Sequence, residues 1–283
     1  MKAAFLGLGV MGFPMAGHLA ARGHDVVVCN RTAEKAERWT ANHKGRSAPD
    51  PASAVKDADI VFSCLGDDPD VEAVMTAAAP AVRRSAVIVD HTTASPALAR
   101  RLAERFAASG VGFVDAPVSG GQAGAEAGKL SVMCGGAAAD VERARPAMEA
   151  YAARIVHIGP SGHGQLCKAV NQICIAGVLQ GLSEGVHFAR QSGLDLDRVL
   201  EAISGGAAQS WQMNNRMKTM AEDRFDFGFA VDWMRKDLRI ALDDARGSGA
   251  RLPLTALVDQ FYADIQAMGG GRLDTSSLIK RLQ

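Results

Sequence analysis

Ala3-Ala-Phe-Leu-Gly7-Leu-Gly9-Val-Met-Gly12-Phe-Pro14-Met15 is the stretch on which the fold of this chain turns. A short apolar run, Ala3 to Leu8, leads into the glycines, and a helix-like segment, Met15 to Arg22, leaves them. Each glycine has its own reason. The first allows a tight turn, the second lets backbone reach a pyrophosphate, and the third lets a helix pack closely on a strand. A second apolar run, Asp25 to Cys29, follows at once, so the turn sits inside a strand–helix–strand unit. That context separates a dinucleotide site from a chance glycine turn. Gly7, Leu8, Gly9, Val10, Met11 and Gly12 are the candidate contacts.

The end of the second run bears on which dinucleotide. NAD sites place Asp or Glu there to accept from the ribose hydroxyl. This chain reads Cys29-Asn30-Arg31-Thr32 instead. Nothing acidic repels a 2′-phosphate, and a guanidinium pairs with one bidentately. Asn30, Arg31 and Thr32 therefore favour NADP. If Arg31 is only a solvated loop charge, NAD serves as well.

Outward from this unit, β-rich runs continue at Asp59–Cys64, Ala86–Asp90, Val111–Asp115, Ser131–Cys134 and Arg154–Ile158. Helix-like segments lie between them: Glu34–Asn42, Pro69–Val82, Ala97–Ser109 and Ala138–Tyr151. Such alternation predicts a mostly parallel sheet covered on both faces, an α/β Rossmann domain over residues 1–160. Beyond that point no β-rich run is visible. Gly164 to Gln191 is proline-free with apolar residues at three and four spacing, which predicts one long, largely buried helix. Gly177, Gly181 and Gly185 recur every fourth residue along it and suggest a seam where another helix approaches. Further helices are expected at 195–203, 213–222, 233–246 and 254–268, so residues 161–283 form an all-α second domain. The tail after Gly269 reads as a flexible turn, then a helix cap at Asp274-Thr-Ser-Ser.

Composition excludes other classes. Of 283 residues, 48% are hydrophobic, which supports a real core and argues against disorder. Lys plus Arg and Asp plus Glu each number 31, without the basic surplus of nucleic-acid or membrane-surface proteins. Cys29, Cys64, Cys134, Cys167 and Cys174 form no CxxC pair or metal-ligand spacing, so no metal is expected and reduced thiols in the cytoplasm are. No signal peptide or membrane-spanning run is visible. His18, His24, His43, His157, His163 and His187 make no constellation and are assigned no role.

Two later segments complete the pattern. Asp115-Ala-Pro-Val-Ser119-Gly120-Gly121-Gln-Ala-Gly124-Ala follows an apolar run and reads as a strand ending in a loop with free backbone amides, a place for an anion. Gly164-Gln165-Leu-Cys-Lys168-Ala-Val-Asn171-Gln172 opens the long helix with its polar residues on one face. A lysine held against a buried seam gives up its proton more readily and suits proton transfer near neutral pH. A lysine of the helix cap pointing to solvent is the equally weighted alternative.

Taken in order, the glycine turn with Met11 and Pro14-Met15, the Asp115-Ala-Pro-Val-Ser-Gly-Gly segment and Gly164-Gln-Leu-Cys-Lys168 resemble the β-hydroxyacid dehydrogenase family. That family includes 3-hydroxyisobutyrate dehydrogenase, tartronate semialdehyde reductase and glyoxylate/succinic semialdehyde reductases, and the resemblance spans essentially the whole chain. It implies an NAD(P)-dependent oxidoreductase acting on CH–OH groups, with Lys168 as general acid/base. It further implies that Ser119, Gly120 and Gly121 hold a substrate carboxylate and that Asn171 helps to place the substrate. By the same resemblance Thr93 lies beside the nicotinamide, Leu65 and Gly66 make backbone contact with the cofactor, and Lys236 reaches cofactor or active site. Dimers or tetramers joined through the helical domain are expected.

The chain departs from the family's common pattern in places. Gln172 stands where many relatives carry a second asparagine, and His91 replaces a small residue. Trp211 and Met213 either face the substrate or pack in the core. Two competing readings remain: a cyclic imine reductase on the same architecture, and a non-catalytic NADP-binding oligomeric module. Lys168 beside a Ser-Gly-Gly loop speaks against both, since an imine needs no carboxylate site and a module without chemistry has no need of the lysine.

Overall fold

The structure, a computed structural model, describes residues 1–282. They form two compact units, Met1–Lys168 and the remainder from Ala169 onward. The first opens with β1 (Lys2–Leu6), α1 (Gly12–Ala21), β2 (Asp25–Cys29) and α2 (Ala33–Asn42). β3 (Arg46–Ser47), α3 (Pro51–Val55), β4 (Ile60–Ser63), α4 (Asp68–Ala78), β5 (Val87–Asp90) and α5 (Pro96–Ala107) follow. β6 (Gly112–Asp115), β7 (Val118–Ser119), α6 (Gly121–Glu126), β8 (Leu130–Gly135), α7 (Ala138–Met148) and β9 (Ala152–Gly159) complete its sheet and coverings.

The nine strands make one sheet in the order β3-β2-β1-β4-β5-β6-β8-β7, with β9 also paired to β8. β1 to β6 run parallel, while β8 is antiparallel to β6 and β7. All four residues of β4 and of β5 are buried, as strands covered on both faces must be. Period-two alternation sorts β1 between the faces. Phe5 joins Met15, Leu19, Trp39 and Phe62 in one core, and Leu6 joins Val61, Met75, Ile88 and Leu102 in the other. The chain leaves β1 for β2 on one side and returns to β4 on the other. Such a reversal opens a crevice at the carboxyl ends of the strands, where ligands of doubly wound sheets bind. This is the predicted Rossmann arrangement.

Local chemistry sets the element starts. Asp50 caps α3 by accepting from Ser53 N–H, and Ser95 caps α5 by accepting from Leu98 N–H, each with proline at the first helical position. β3, β7, α3 and α6 are absent from the sequence-based expectation, because two-residue strands and five- or six-residue helices are too short to carry a period. The loop expected over Asp115–Ala125 is thus more structured than its glycines suggest. It holds β7, paired antiparallel with β8, and α6.

α8 (His163–Gln191) begins in the first unit and continues into the second. α9 (Leu196–Ile203), α10 (Trp211–Ala221), α11 (Val231–Ser248), α12 (Pro253–Ala267) and a closing 3-10 run, Thr275–Leu282, follow. Among the described residues this unit has no strand beyond an isolated bridge between Ala230 and Asp274. Its cores gather Leu179, Met234, Leu238, Val258, Tyr262 and Leu278, and separately Leu182, Val186, Met213 and Met217. Burying each such side chain contributes roughly 1.5–3 kcal/mol.

The tail departs from the flexible reading. Thr275 to Ile279 are buried, and Asp274 accepts from Ser276 N–H and Oγ as the expected cap while pairing with Arg216. The glycine seam is only partly met by this chain. Leu254 approaches Gly177 at 3.3 Å from where a Cβ would sit, but Gly181 and Gly185 face open space.

Candidate active site

At the β1–α1 turn, Gly7 has φ +97° and donates its N–H to Cys29 O at 2.9 Å. A Cβ there would run into the Cys64 carbonyl, and one on Gly12 would strike the Gly7 carbonyl and the Phe5 ring. Packing within the chain therefore demands both glycines. Gly9 differs, because a Cβ on it would meet nothing within 4 Å. Gly9 and Val10 are exposed. A pyrophosphate laid on these amides supplies the reason for glycine that the chain's own atoms do not, and on that ground the turn fits a dinucleotide.

Asn30 braces this turn. Its Oδ1 accepts from Leu8 N–H at 2.8 Å and its Nδ2 donates to Thr32 O at 3.0 Å, tying the end of β2 to the glycines. Arg31 is almost wholly exposed, its guanidinium 3.4 Å from the Asp70 carboxylate. Thr32 caps α2 in extended conformation without a side-chain cap bond. Lys35, exposed on the first turn of α2, adds a second cation to this rim. Sequence reasoning passed over it, although its place three residues after Thr32 was the available signal.

The ends of β4 and β5 are cross-linked. Thr92 Oγ1 accepts from Leu65 N–H at 2.9 Å and donates to Asp90 Oδ1 at 2.7 Å, where Ser63 Oγ also donates at 2.8 Å. Burial pushes the Asp90 carboxyl up to about 6, against these hydroxyls, which favour the charged form. Thr93 and Gly66 are half-buried alongside. His91 touches Ala116 O through Nδ1 at 2.7 Å and the Tyr151 hydroxyl through Nε2 at 2.8 Å. One neutral tautomer satisfies both contacts: Nδ1–H donates to the carbonyl and Nε2 accepts from the hydroxyl. Burial lowers the imidazole to about 4, so His91 is a neutral pin between β5, β6 and Tyr151.

Beyond β6, Ser119 lies half-buried in β7, paired in register with Ser131. Gly120 and Gly121 follow with φ of +129° and +60°, values that favour glycine, and both are exposed. Lys168 is 7% exposed, so the solvated-cap reading of this lysine does not hold. Gln165, one turn earlier on α8, donates through Nε2 to Thr92 O at 2.7 Å and accepts at Oε1 from Ala94 N–H at 3.1 Å. It brackets Thr93 and joins that loop to the first turn of α8. Asp115 accepts from Gly162 N–H at 2.7 Å and from Gln165 N–H at 3.0 Å.

In the second unit a polar chain runs through buried surroundings. Asn171 Nδ2 donates to Gln172 Oε1 at 2.7 Å, Gln172 Nε2 donates to Asp237 Oδ2 at 2.6 Å, and Lys236 Nζ lies 3.1 Å from Asp237 Oδ1. The expected substrate amide and cofactor lysine are thus joined through Gln172 and Asp237. Gln172, read above as a departure from the family's common pattern, reaches Asp237 with its side-chain amide. Met213 is core, packed with Leu182 and Met217, whereas Trp211 is exposed with the Arg216 guanidinium 5.0 Å above its ring.

A switch-point glycine turn and a second, helical unit define a nicotinamide-dinucleotide-dependent oxidoreductase. Residues 2–159 match the family described as the NAD binding domain of 6-phosphogluconate dehydrogenase. Residues 162–282 match the one described as NAD-binding of NADP-dependent 3-hydroxyisobutyrate dehydrogenase. The chain belongs to the β-hydroxyacid dehydrogenase family, whose members act on CH–OH groups of hydroxyacids. An uncharacterized oxidoreductase of Shewanella frigidimarina is 56% identical over 100% of this chain and 98% of its own length. The 2-hydroxy-3-oxopropionate reductase of Escherichia coli is 36% identical over 100% and 97%. Among solved structures, Mycobacterium tuberculosis 3-hydroxyisobutyrate dehydrogenase with L-serine aligns with a TM-score of 0.91 and 31% identity, covering 100% of this chain and 99% of that one. Among the described residues no helix is long and apolar enough to cross a membrane.

Proposed function

We propose that this protein transfers a hydride between NADP(H) and a small β-hydroxyacid or semialdehyde carboxylate, with Lys168 as general acid/base. The observation that carries this reading is the burial of Lys168 on α8, one turn after Gln165 fastens that helix to the Thr93 loop. A buried amine can exchange a proton with a bound oxygen out of reach of bulk water.

Bound nicotinamide supplies or takes the hydride at its C4. Everything else falls to the chain. The Gly7–Gly12 turn holds the pyrophosphate, with Asn30 keeping the Leu8 amide in place. Leu65, Gly66 and Thr93 line the nicotinamide end, and Lys236 is a further candidate for cofactor contact. Ser119 and the Gly120 and Gly121 amides hold the substrate carboxylate, which turns an encounter into an oriented pair. In reduction Lys168 Nζ–H donates a proton to the forming alkoxide oxygen. In oxidation the neutral amine removes the hydroxyl proton. Asn171 orients the reacting oxygen. The assay that tests this is NADPH consumption with glyoxylate, succinic semialdehyde and tartronate semialdehyde. Turnover of none of these carboxylates, with turnover of a cyclic imine, would replace the reading.

NADP preference rests on Arg31 just after β2 and Lys35 on the first turn of α2, with no acidic residue at positions 30 to 32, and is in keeping with the NADP-dependent description of the matching C-terminal family. Arg31→Ala is expected to lower the ratio of kcat/KM with NADPH to that with NADH by about tenfold or more, the loss of one charge-assisted pair worth about 1.5–3 kcal/mol. An unchanged ratio removes Arg31 from the argument.

The same reading extends to assembly as a dimer or tetramer. Val170, Cys174, Val178 and Phe188 are exposed along one face of α8, together with the open Gly181 and Gly185. A second copy packing there would cover them and use the glycines for close approach. Phe188→Asp is expected to shift the mass in solution toward the monomer, as read by light scattering; an unchanged mass points the interface elsewhere.

A further inference from the structure

The geometry points to Asp115 and Gln165 as a clamp that sets the start of α8 and thereby holds Lys168 in register with the Ser119 and Thr93 loops. Asp115 is fully buried at the last position of β6, four residues before Ser119. Both its carboxylate oxygens are committed to the start of α8: Oδ1 accepts from the N–H of Gly162, the residue just before the helix, at 2.7 Å, and Oδ2 from Gln165 N–H at 3.0 Å. A negative group facing otherwise unpaired N–H groups at a helix start stabilises that start.

The approach is close enough to exclude side chains around it. A Cβ on Gly135 would lie 2.6 Å from one Asp115 carboxylate oxygen and 2.6 Å from Gly164 N, and one on Gly164 would lie 2.8 Å from the other oxygen. The carboxylate therefore fixes where α8 begins rather than merely decorating it. Gln165 makes the second attachment, through Thr92 O and Ala94 N–H. Lys168 follows Gln165 by three residues, less than one turn, so little backbone freedom remains between the clamp and its Nζ stem.

One carboxylate thus connects the strand leading to Ser119 with the helix carrying Lys168, and one amide connects that helix with the loop carrying Thr93. Asp115 and Gln165 touch neither substrate nor cofactor in this proposal. They are positioning residues acting through Lys168, and the proposal rests on the general acid/base reading of that lysine.

The test is a double-mutant cycle on the full-length enzyme. Asp115→Asn keeps the shape but places an N–H₂ against one of the two amides. Expected is a fall in kcat of between about ten- and a hundredfold, the scale of a small misplacement of a catalytic group. The NADPH dissociation constant, read by fluorescence, stays unchanged, and deuteration of the transferred hydride gives a larger isotope effect. In a Lys168→Ala background the same substitution changes the residual rate little, because there is no lysine left to place. An equal fall in both backgrounds, or a loss that tracks only the folded fraction with kcat per folded molecule and isotope effect unaltered, overturns the clamp. Should Asp115→Asn not fold, Gln165→Leu severs the other attachment and is read by kcat and isotope effect in the two Lys168 backgrounds, without the affinity criterion, because Thr92 O and Ala94 N–H flank Thr93. Full activity of Lys168→Ala alone would instead overturn the general acid/base reading, so the two failures are separable.

Discussion

Lys168→Ala is expected to reduce turnover by about two or more orders of magnitude while leaving NADPH binding intact. Two decades correspond to about 2.7 kcal/mol of transition-state stabilisation. The split follows from placement. The cofactor-binding residues proposed above lie mainly on the β1–α1 turn, the end of β2 and the ends of β4 and β5, none of which contains Lys168. Removing the side chain takes away the proton donor to the alkoxide in reduction and the acceptor in oxidation, and nothing from the pyrophosphate cradle. Steady-state rates in both directions, with cofactor affinity from fluorescence titration, check it. Equal losses in kcat and cofactor affinity, or no loss in either, would remove Lys168 from the chemistry.

Gly9→Ala and Gly12→Ala are expected to fail in different ways, although they are three residues apart. A Cβ on Gly12 meets the Gly7 carbonyl and the Phe5 ring at 2.9 Å, so α1 must move off β1. Overpacking of this kind costs about 1–3 kcal/mol and lowers Tm by several degrees in a chain of this size, with cofactor affinity falling because the turn itself is displaced. Gly9→Ala meets no protein atom within 4 Å, and its Tm stays that of the parent. Its methyl projects where the pyrophosphate needs backbone, so NADPH affinity falls by about tenfold or more, at least ~1.4 kcal/mol. Thermal melts with and without NADPH read both quantities. Parental affinity in Gly9→Ala would mean that the cofactor does not lie on this turn.

The contrast between these glycines marks the limit of what the sequence showed. Gly7, Gly9 and Gly12 were legible as a set because glycines at that spacing, between an apolar run and a helix, serve few purposes besides holding a dinucleotide. That Gly9 alone is free of the chain's own atoms depends on the Cys64 carbonyl and the Phe5 ring, which the folded sheet brings to the turn. Lys168 shows the same division. Spacing put it on a polar face with Gln165 and Asn171 but left a solvated cap equally open. Burial rules out the solvated cap, and burial is a sum over neighbours from several elements. His91 and Gln172 read as departures from a pattern. Their partners, Ala116 and Tyr151 for one and Asp237 for the other, lie 25 to 65 residues away.

Local periodicity and turn chemistry were enough to establish an α/β half bearing a dinucleotide turn followed by a helical half. Both signals depend on neighbours within a few residues: two-residue alternation, three-and-four spacing, and the φ freedom of glycine. Short elements such as β7 and α6 carry too few residues for either signal. The tertiary structure alone decided that Asp115, written in the sequence as the first residue of a glycine loop, serves as the cap of α8, whose amides lie 47 and 50 residues further along the chain. A carboxylate's partners are chosen by where the folded backbone leaves N–H groups unpaired, and no spacing along the chain records that.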